Sequence, residues 1–300
     1  DLGLFDQRIY IVSDYYYKKT TDLLFSLPLP EYSGYTSLLK NIGSIENKGF
    51  EVTLSTVNFN GSFKWTTDFN LSRHRNKILE LPDGNDIFVD TSPGHMVGIT
   101  NSTILREGEP MGQFFGYVYD GVYQEGDTFL PGGGFELSAG GEKFRDISGD
   151  GKLDSNDRTI IGDPNPDFIW GLNNTLEYKG FDMNIFVQAS QGNDVYSFTL
   201  FELELMSGYN NTTTRALHRW TPTNTDTDVP KASDSRPRKS SNRFVYDGSF
   251  IRLKNLSLGY KIPASIIKPV GISFARIYVS AQNLFTITDY PGYDPEVNWM

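Results

Sequence analysis

Alternation of apolar and polar side chains is the feature of this sequence that most constrains its fold. From Phe63 to Leu71 the odd positions are mostly apolar and the even positions mostly polar, and the same period of two runs through Phe50–Ser55, Phe181–Gln188 and Ala275–Gln282. In a β-strand this period places apolar side chains on one face and polar side chains on the other. The sequence therefore predicts an all-β protein with strands of about ten residues, the length that a tilted strand needs to cross a bilayer.

The connections between these strands are of two kinds. A two-residue turn at Lys179-Gly180 is predicted between Phe168–Tyr178 and Phe181–Gln191, and another short turn is predicted around Asn58–Gly61. The remaining connections are long polar excursions, namely Leu27–Ile42, Leu79–Pro110, Gly126–Pro166, Asn193–Asn242 and the tail after Thr288. Such loops are uncommon in compact soluble domains, whereas outer-membrane barrels combine short turns on one side with long loops on the other. A soluble β-sandwich with insertions shows the same alternation, so the pattern alone leaves both folds open.

Two local irregularities can also be read from the sequence. The apolar positions change parity within Phe250–Ile262, which predicts a β-bulge or a change of environment along that strand. Helical signals are short and lie outside the strands, at Phe198–Met206, Thr214–Trp220 and Pro263–Lys268.

Composition excludes several classes of protein. The chain of 300 residues contains no Cys, which excludes a disulfide framework and thiolate metal sites. A net charge of −10 argues against a nucleic-acid partner. No apolar run approaches the roughly 18 residues of a membrane helix, so a helical membrane protein is excluded. The mean hydropathy of −0.39 and an aromatic content of 14% fit a surface-rich β protein, and they equally fit a transmembrane β-barrel.

Aromatic residues cluster at two places. Tyr15, Tyr16 and Tyr17 could stack against a sugar, but a girdle of interfacial aromatics at the end of a membrane strand is the favoured interpretation. Aromatics between Phe114 and Tyr123 either line a binding cavity or form a strand, because their alternation fits both.

Asp146–Asp157 is the sharpest local motif. Its spacing matches a calcium-binding EF-hand loop, with Gly151 at the position of the sharp turn and Leu153 expected to anchor the loop to a core. The predicted ligands of Ca²⁺ or Mg²⁺ are Asp146, Ser148, Asp150, Lys152 (through its backbone carbonyl), Asp154 and Asp157. The alternative is an Asp/Gly turn whose carboxylates accept hydrogen bonds from nearby backbone N–H groups.

No motif predicts catalysis. The sequence contains neither the GxSxG motif of serine hydrolases nor a phosphate-binding loop, and its histidines lack zinc-site spacing. A glycosidase needs only two facing carboxylates, but abundant Asp and Glu on a surface explain the acidic residues equally well. We therefore expect that the protein is not an enzyme.

Four long segments resemble the C-terminal half of SusC-like (SusC/RagA family) TonB-dependent outer-membrane transporters of Bacteroidota. They are Asn41–Val52 (NIGSIENKGFEV), Phe144–Ser197 (beginning FRDISGDGKLDSNDR), Tyr246–Pro263 (YDGSFIRLKNLSLGYKIP) and Ala275–Val297 (ARIYVSAQNLFTITDYPGYDPEV). The opening Asp1–Leu24 is similar as well, so the resemblance runs essentially from end to end.

The resemblance implies an antiparallel transmembrane β-barrel of about 22 strands closed around a plug. Residues 1–300 would then be the C-terminal part of that barrel, roughly its last ten strands, with long extracellular loops and without the plug and the final strand. It further implies a SusD-like surface lipoprotein over the loops, TonB acting through an N-terminal region, and an oligosaccharide or peptide as cargo. Dimers of transporter–lipoprotein pairs are also expected, as is a bound Ca²⁺ or Mg²⁺ in the Asp146–Asp157 loop.

In such a barrel the apolar side chains meet outer-membrane lipid and the polar ones face the lumen. We therefore predict that Phe63, Trp65, Phe69 and Leu71 point outward, whereas Lys64, Asp68 and Asn70 point inward. The function predicted is active import of a large polar nutrient across the bacterial outer membrane. The alternative is a surface β-protein that binds carbohydrate or a partner without transport.

Overall fold

The computed structural model describes residues 1–28, 37–41, 43–89, 99, 101–207, 210–234 and 236–296. Within them, eight strands form one antiparallel sheet, and each strand pairs with its successor in that sheet. In order across the sheet, and numbered along the chain, they are β1 (Leu2–Leu4), β2 (Ile9–Thr20), β5 (Ser44–Asn60), β6 (Phe63–Glu80), β13 (Phe168–Tyr178), β14 (Phe181–Gln191), β17 (Phe250–Lys261) and β18 (Arg276–Thr288).

The other strands form small sheets. A hairpin pairs β3 (Leu24–Pro28) with β4 (Ser37–Asn41). Two further pairs are β10 (Tyr119–Val122) with β11 (Glu142–Phe144), and β15 (Asp194–Tyr196) with β16 (Val245–Asp247). A four-stranded sheet has the order β12 (Arg158–Gly162), β9 (Gln113–Tyr117), β8 (Thr103–Leu105), β7 (Ile87–Val89). The strands of these small sheets do not join the main sheet. The main sheet of the described residues therefore has eight strands, whereas the resemblance implied roughly ten.

Helices are short, as the sequence predicted. Helix α1 spans Phe198–Glu204 and α2 spans Ala264–Ile267. Turns of 3₁₀ helix lie at Pro82–Gly84, Ser155–Asp157, Thr214–His218, Asn242–Phe244 and Lys268–Val270. No helix in the described ranges has the length and apolar character of a membrane-spanning segment.

The turn predicted at Lys179-Gly180 is confirmed, and β13 and β14 have the predicted bounds. Both turn residues have positive φ, +46° and +89°, as in the type I′ turns that match the twist of paired strands. The other turn lies at Gly61-Ser62, slightly beyond the predicted Asn58–Gly61, because a bulge between Val57 and Phe59 lengthens β5. The bulge predicted in β17 is also confirmed, at Leu253/Asn255.

The main sheet has one apolar and one polar face. Strand register aligns Leu54, Phe69, Leu172 and Val187 in a row across four strands on the apolar face. Phe63, Trp65 and Leu71 lie on this face with Phe69, whereas Lys64, Asp68 and Asn70 lie on the polar face, as predicted. Ser55 donates to Asp68 across the polar face at 2.7 Å.

Polar groups on the apolar face are paired with one another. The indole N–H of Trp65 and the hydroxyl of Thr67 both donate to Oδ1 of Asn174, at 2.9 and 2.7 Å. Asn58 in turn donates to the Thr67 hydroxyl at 2.8 Å. This pairing suits a surface in lipid, where an unsatisfied polar group costs several kcal/mol.

The long excursions all leave the sheet at one end. Strand β14 ends at Gln191 and β17 begins at Phe250, and register places both of these ends next to the start of β13. Strand β6 runs past the start of β13 in the same direction, from Ser72 to Glu80. The described residues between 81 and 167 and between 192 and 249 therefore lie together, and we call them the loop cap. The opposite end of the sheet has two-residue turns at Gly61-Ser62 and Lys179-Gly180, and we call it the short-turn end. It also has one longer connection, residues 262–275, which contains α2 and a 3₁₀ turn.

Candidate functional site

The loop cap has its own hydrophobic core. One cluster consists of Ile99, Tyr196, Phe201, Leu205 and Phe244, all of them buried. The rings of Phe201 and Phe244 meet edge to face with centroids 5.1 Å apart, a favourable aromatic geometry. In the same region Phe115 and Tyr117 lie on β9 and are buried. Of the two interpretations of the aromatics between Phe114 and Tyr123, these two residues therefore fit the strand. The cap is thus a packed structure that can present a defined surface.

Buried ion pairs connect distant parts of the cap. Arg243 Nη1 donates to Glu142 at 2.8 Å, and Arg243 Nη2 lies 3.6 Å from Glu204. Glu204 is only 3% exposed and also accepts from Arg215 at 3.2 Å. Each of these buried charges therefore has an opposite charge beside it, which offsets the desolvation that would otherwise destabilise the fold. Sequence reasoning missed these residues because nothing in their spacing brings them together.

The segment after Thr288 folds back onto the sheet. Arg252 on β17 is nearly buried; it pairs with Asp294 at 2.6 Å and with Glu296 at 2.5 Å. The Arg252 guanidinium lowers the pKa of Asp294 below its ordinary value. The hydroxyl of Tyr290 bonds to Ser197 in the loop cap at 3.0 Å. The described part of this tail therefore joins the polar face to the cap.

The Asp146–Asp157 loop is anchored as predicted. Leu153 is 1% exposed and packs in a second buried cluster with Tyr117 and Phe144. Gly151 has a φ of +78°, a conformation that favours glycine, so the sharp turn expected at this position is present.

All the acidic side chains of this loop accept backbone N–H groups. Asp157 is fully buried and accepts from Ile147, Ser148 and Asp154 at 3.0, 3.1 and 2.9 Å. The remaining acceptor–donor pairs are Asp146 with Gly149 and Gly151, Asp150 with Lys152, and Asp154 with Asn156. Ser148 donates its hydroxyl to Asp146 at 3.2 Å.

These hydrogen bonds are the ones expected of an Asp/Gly turn, the alternative to a metal-binding loop. In the described part of the chain, no group of three or more His, Cys, Asp or Glu side chains is arranged to hold a metal ion. The donor set is nevertheless of the type that Ca²⁺ takes, since it consists of carboxylate, hydroxyl and carbonyl oxygens. The metal site at Asp146, Ser148, Asp150, Lys152, Asp154 and Asp157 therefore stays a prediction.

Asp157 should stabilise the loop above acidic pH. Burial raises its pKa, but the N–H groups of Asp154, Ser148 and Ile147 outweigh burial, so the pKa lies below its ordinary value. A depressed pKa means that the stabilisation is present at neutral pH and is lost as the pH falls through the folded-state pKa. Asp157→Asn in the full-length protein should destabilise the loop by about 1–3 kcal/mol at pH 7. Proteolysis within the loop should then be faster, whereas Glu125→Gln, at an exposed position outside the loop, should change it little. Equal cleavage of both variants would contradict this role.

Comparison with known proteins shows what the chain is similar to. No protein-family model matches it. It is 51% identical over 304 residues to TonB-dependent receptor P3 of Formosa agariphila, and that alignment covers 100% of this chain and 30% of the relative. It is 30% identical over 309 residues to TonB-dependent receptor SusC of Bacteroides thetaiotaomicron, with 99% of this chain and 29% of that protein covered.

Solved structures agree with these relatives. The structure of the RagAB peptide transporter matches with a TM-score of 0.82 and 25% identity, over 98% of this chain and 31% of that chain. The RagAB peptide importer in its open-open state matches with a TM-score of 0.77 and 26% identity, over 98% of this chain and 31% of that chain.

The chain thus spans about 30% of the length of the curated relatives it matches. Its apolar and polar sheet faces, short turns at one end and loop cap at the other are the features of an outer-membrane barrel wall. The likeness in sequence covers essentially the whole chain, and the likeness in structure covers the same residues. The chain therefore belongs to the SusC-like TonB-dependent outer-membrane transporters and corresponds to part of their barrel.

Proposed function

We propose that the chain forms part of the wall and extracellular cap of an active importer for a large polar nutrient. The observation that carries this proposal is the single sheet whose long excursions fold into a packed cap at one end. Such a sheet separates lipid from a polar lumen, and the cap stands where cargo would enter. A non-catalytic role is part of the proposal, and it is supported by relatives named as receptors and transporters.

The cargo that we propose is an oligosaccharide or a peptide. The resemblance to SusC-like transporters supports both, and the match to the RagAB peptide transporter supports a peptide. Deletion of the full-length gene should abolish growth on one such nutrient supplied as sole source, and a plasmid copy should restore it. Normal growth of the deletion strain on every glycan and peptide tested would favour the alternative of a surface protein that binds without transport.

The partners that we propose follow the same family. A SusD-like lipoprotein would cover the loop cap, and TonB would act through an N-terminal region of the full-length protein. Dimers of transporter–lipoprotein pairs are part of the proposal. Purification of the tagged full-length protein from membranes should recover the lipoprotein in about equal amount. Recovery of the transporter alone under several mild detergents would count against this assembly.

Bound Ca²⁺ or Mg²⁺ in the Asp146–Asp157 loop is a separate proposal. It is supported by the oxygen donor set, the Gly151 turn and the free lone pairs that a carboxylate keeps after accepting one or two N–H groups. Removal of metal with EDTA should then speed proteolysis of this loop in the full-length protein, and added Ca²⁺ should reverse the effect. The double variant Asp150→Ala/Asp154→Ala should be insensitive to both treatments. Identical cleavage of the unaltered protein with and without EDTA would remove the metal from the proposal.

A further inference from the structure

The cap end of the apolar face carries a group of cations to which the proposed function assigns no role. Register across β2, β5 and β6 places Tyr15, Phe50 and Arg73 side by side. The next two rows towards the cap consist of Tyr17, Lys48 and Arg75, followed by Lys19, Glu46 and Lys77. We call the five cations of these rows the basic patch, and they are Lys19, Lys48, Arg73, Arg75 and Lys77.

The basic patch continues the lipid-facing surface. Its residues share strand parity with Leu54 and Phe69, so they lie on the apolar face of the sheet. The next row below Tyr15, Phe50 and Arg73 contains Val52 and Leu71, which are apolar. Moving towards the cap, the surface thus changes from aliphatic to aromatic and then to cationic. This is the order of environments that a barrel meets from acyl chains to headgroups in the outer leaflet.

The height of the apolar band supports this placement. From Tyr178 to Phe168 along β13 the strand rises about 33 Å, at about 3.3 Å per residue, and a tilt of about 40° leaves about 25 Å along the membrane normal. That is the height of the apolar band of outer-membrane barrels. Arg73 lies beyond Ser72, the partner of Ile169 near the cap end of β13, so it stands at the level of the headgroups.

The charge of the patch opposes that of the whole chain. The chain carries a net charge of −10, yet these three rows hold five cations and one acid, Glu46. Glu46 pairs with Lys48 at 3.2 Å, and Asp167 pairs with Arg75. The other three cations, Lys19, Arg73 and Lys77, are exposed and form no ion pair with any described residue. A concentration of unpaired cations at headgroup level indicates an anionic lipid.

We propose that the basic patch binds the phosphate groups of the phosphorylated glycolipid of the outer leaflet, a lipid of the lipid A class. Arg73 would hold a phosphate through its forked N–H donors, and Lys19 and Lys77, two rows nearer the cap, would attract the anionic headgroup as point charges. The exposed rings of Tyr15 and Tyr17, 69% and 57% accessible, would rest against the sugar and upper acyl region. The proposal rests on the outer-membrane location and is independent of the cargo.

Titration of the purified full-length transporter with lipid A, followed by native mass spectrometry, tests this site. The triple variant Lys19→Gln/Arg73→Gln/Lys77→Gln is expected to bind diphosphorylated lipid A about 100-fold more weakly, because each such cation near an anionic surface contributes about fivefold. Lipid A from which both phosphates have been removed should bind the unaltered protein as weakly as diphosphorylated lipid A binds the triple variant. Uptake of cargo by the triple variant gives a separate readout of the transport function.

The matched control is Lys179→Gln/Lys261→Gln/Lys268→Gln, which removes the same charge at the short-turn end of the sheet. It should bind lipid A as tightly as the unaltered protein. Lipid A affinity that is unchanged in the first triple variant, or equal for phosphorylated and dephosphorylated lipid, would overturn the proposal. Should the triple variant fold poorly, Arg73→Gln alone should still lower the affinity about fivefold.

Discussion

Phe69→Arg is expected to destabilise the full-length transporter in the membrane, lowering its free energy of unfolding by about 3 kcal/mol or more. Phe69 lies near the middle of the apolar face, between Leu54 and Leu172, with its ring centroid 6.4 Å from that of Trp170. An arginine at the mid-depth of the lipid-facing surface of a barrel costs about 2–4 kcal/mol, and the lost aromatic contact adds to this. Urea titration of the protein in lipid vesicles, with the folded fraction followed by the difference in migration between folded and unfolded protein in unheated gels, measures the change.

Asn70→Arg is the matched control for that variant. Asn70 is the next residue on the same strand but lies on the polar face, in a row with Thr53 and Gly171. The same cation placed there faces a wet lumen and should change the folding free energy by no more than about 0.5 kcal/mol, as at most surface positions. Equal destabilisation by the two substitutions would show that the two faces are assigned wrongly.

Phe244→Ala is expected to loosen the loop cap by about 3–5 kcal/mol while the sheet stays inserted. Phe244 is 1% exposed and packs with Phe201, Tyr196 and Ile99, so truncation leaves a cavity in the core of the cap. Amide hydrogen exchange of the full-length protein should then be faster at cap residues such as those of α1 and β15. Exchange in β13 and β14 should be unchanged, because their hydrogen bonds lie within the main sheet.

Phe274→Ala provides the comparison, because this phenylalanine is 66% exposed and lies at the short-turn end of the sheet. It should leave exchange in the cap as in the unaltered protein. Uniform loss of protection across cap and sheet in Phe244→Ala would mean that the two unfold as one unit and would contradict a separate cap core.

The strands of the main sheet could be predicted closely because neighbouring residues in the sequence determine their bounds, turns and bulges. The bounds of β13 and β14 follow from ten-residue alternation on each side of a two-residue turn that positive-φ residues can form. The bulge in β17 follows from the parity change between Ile251 and Leu256, since an extra residue must be inserted to keep both on the apolar face.

The loop cap could not be predicted in the same way. Glu142 and Arg243 are 101 positions apart, and the contact of Phe201 with Phe244 also joins distant segments. Neither periodicity nor motif spacing specifies such contacts, because they depend on which excursions the sheet brings to the same end. The Asp146–Asp157 spacing correctly predicted a sharp turn at Gly151 and burial of Leu153. It could not say where the oxygens of Asp157 point, and these accept three backbone N–H groups.

The amino-acid sequence by itself determined the two faces of the wall, its short turns and the resemblance to a transporter barrel. These properties depend on the order of neighbouring residues and on the period of two that a strand imposes. Only the tertiary structure decided that the long polar excursions share a packed core, that the tail is held by Arg252, and that Lys19, Arg73 and Lys77 form one surface. The physical reason is that strand register places side by side residues that are far apart along the chain.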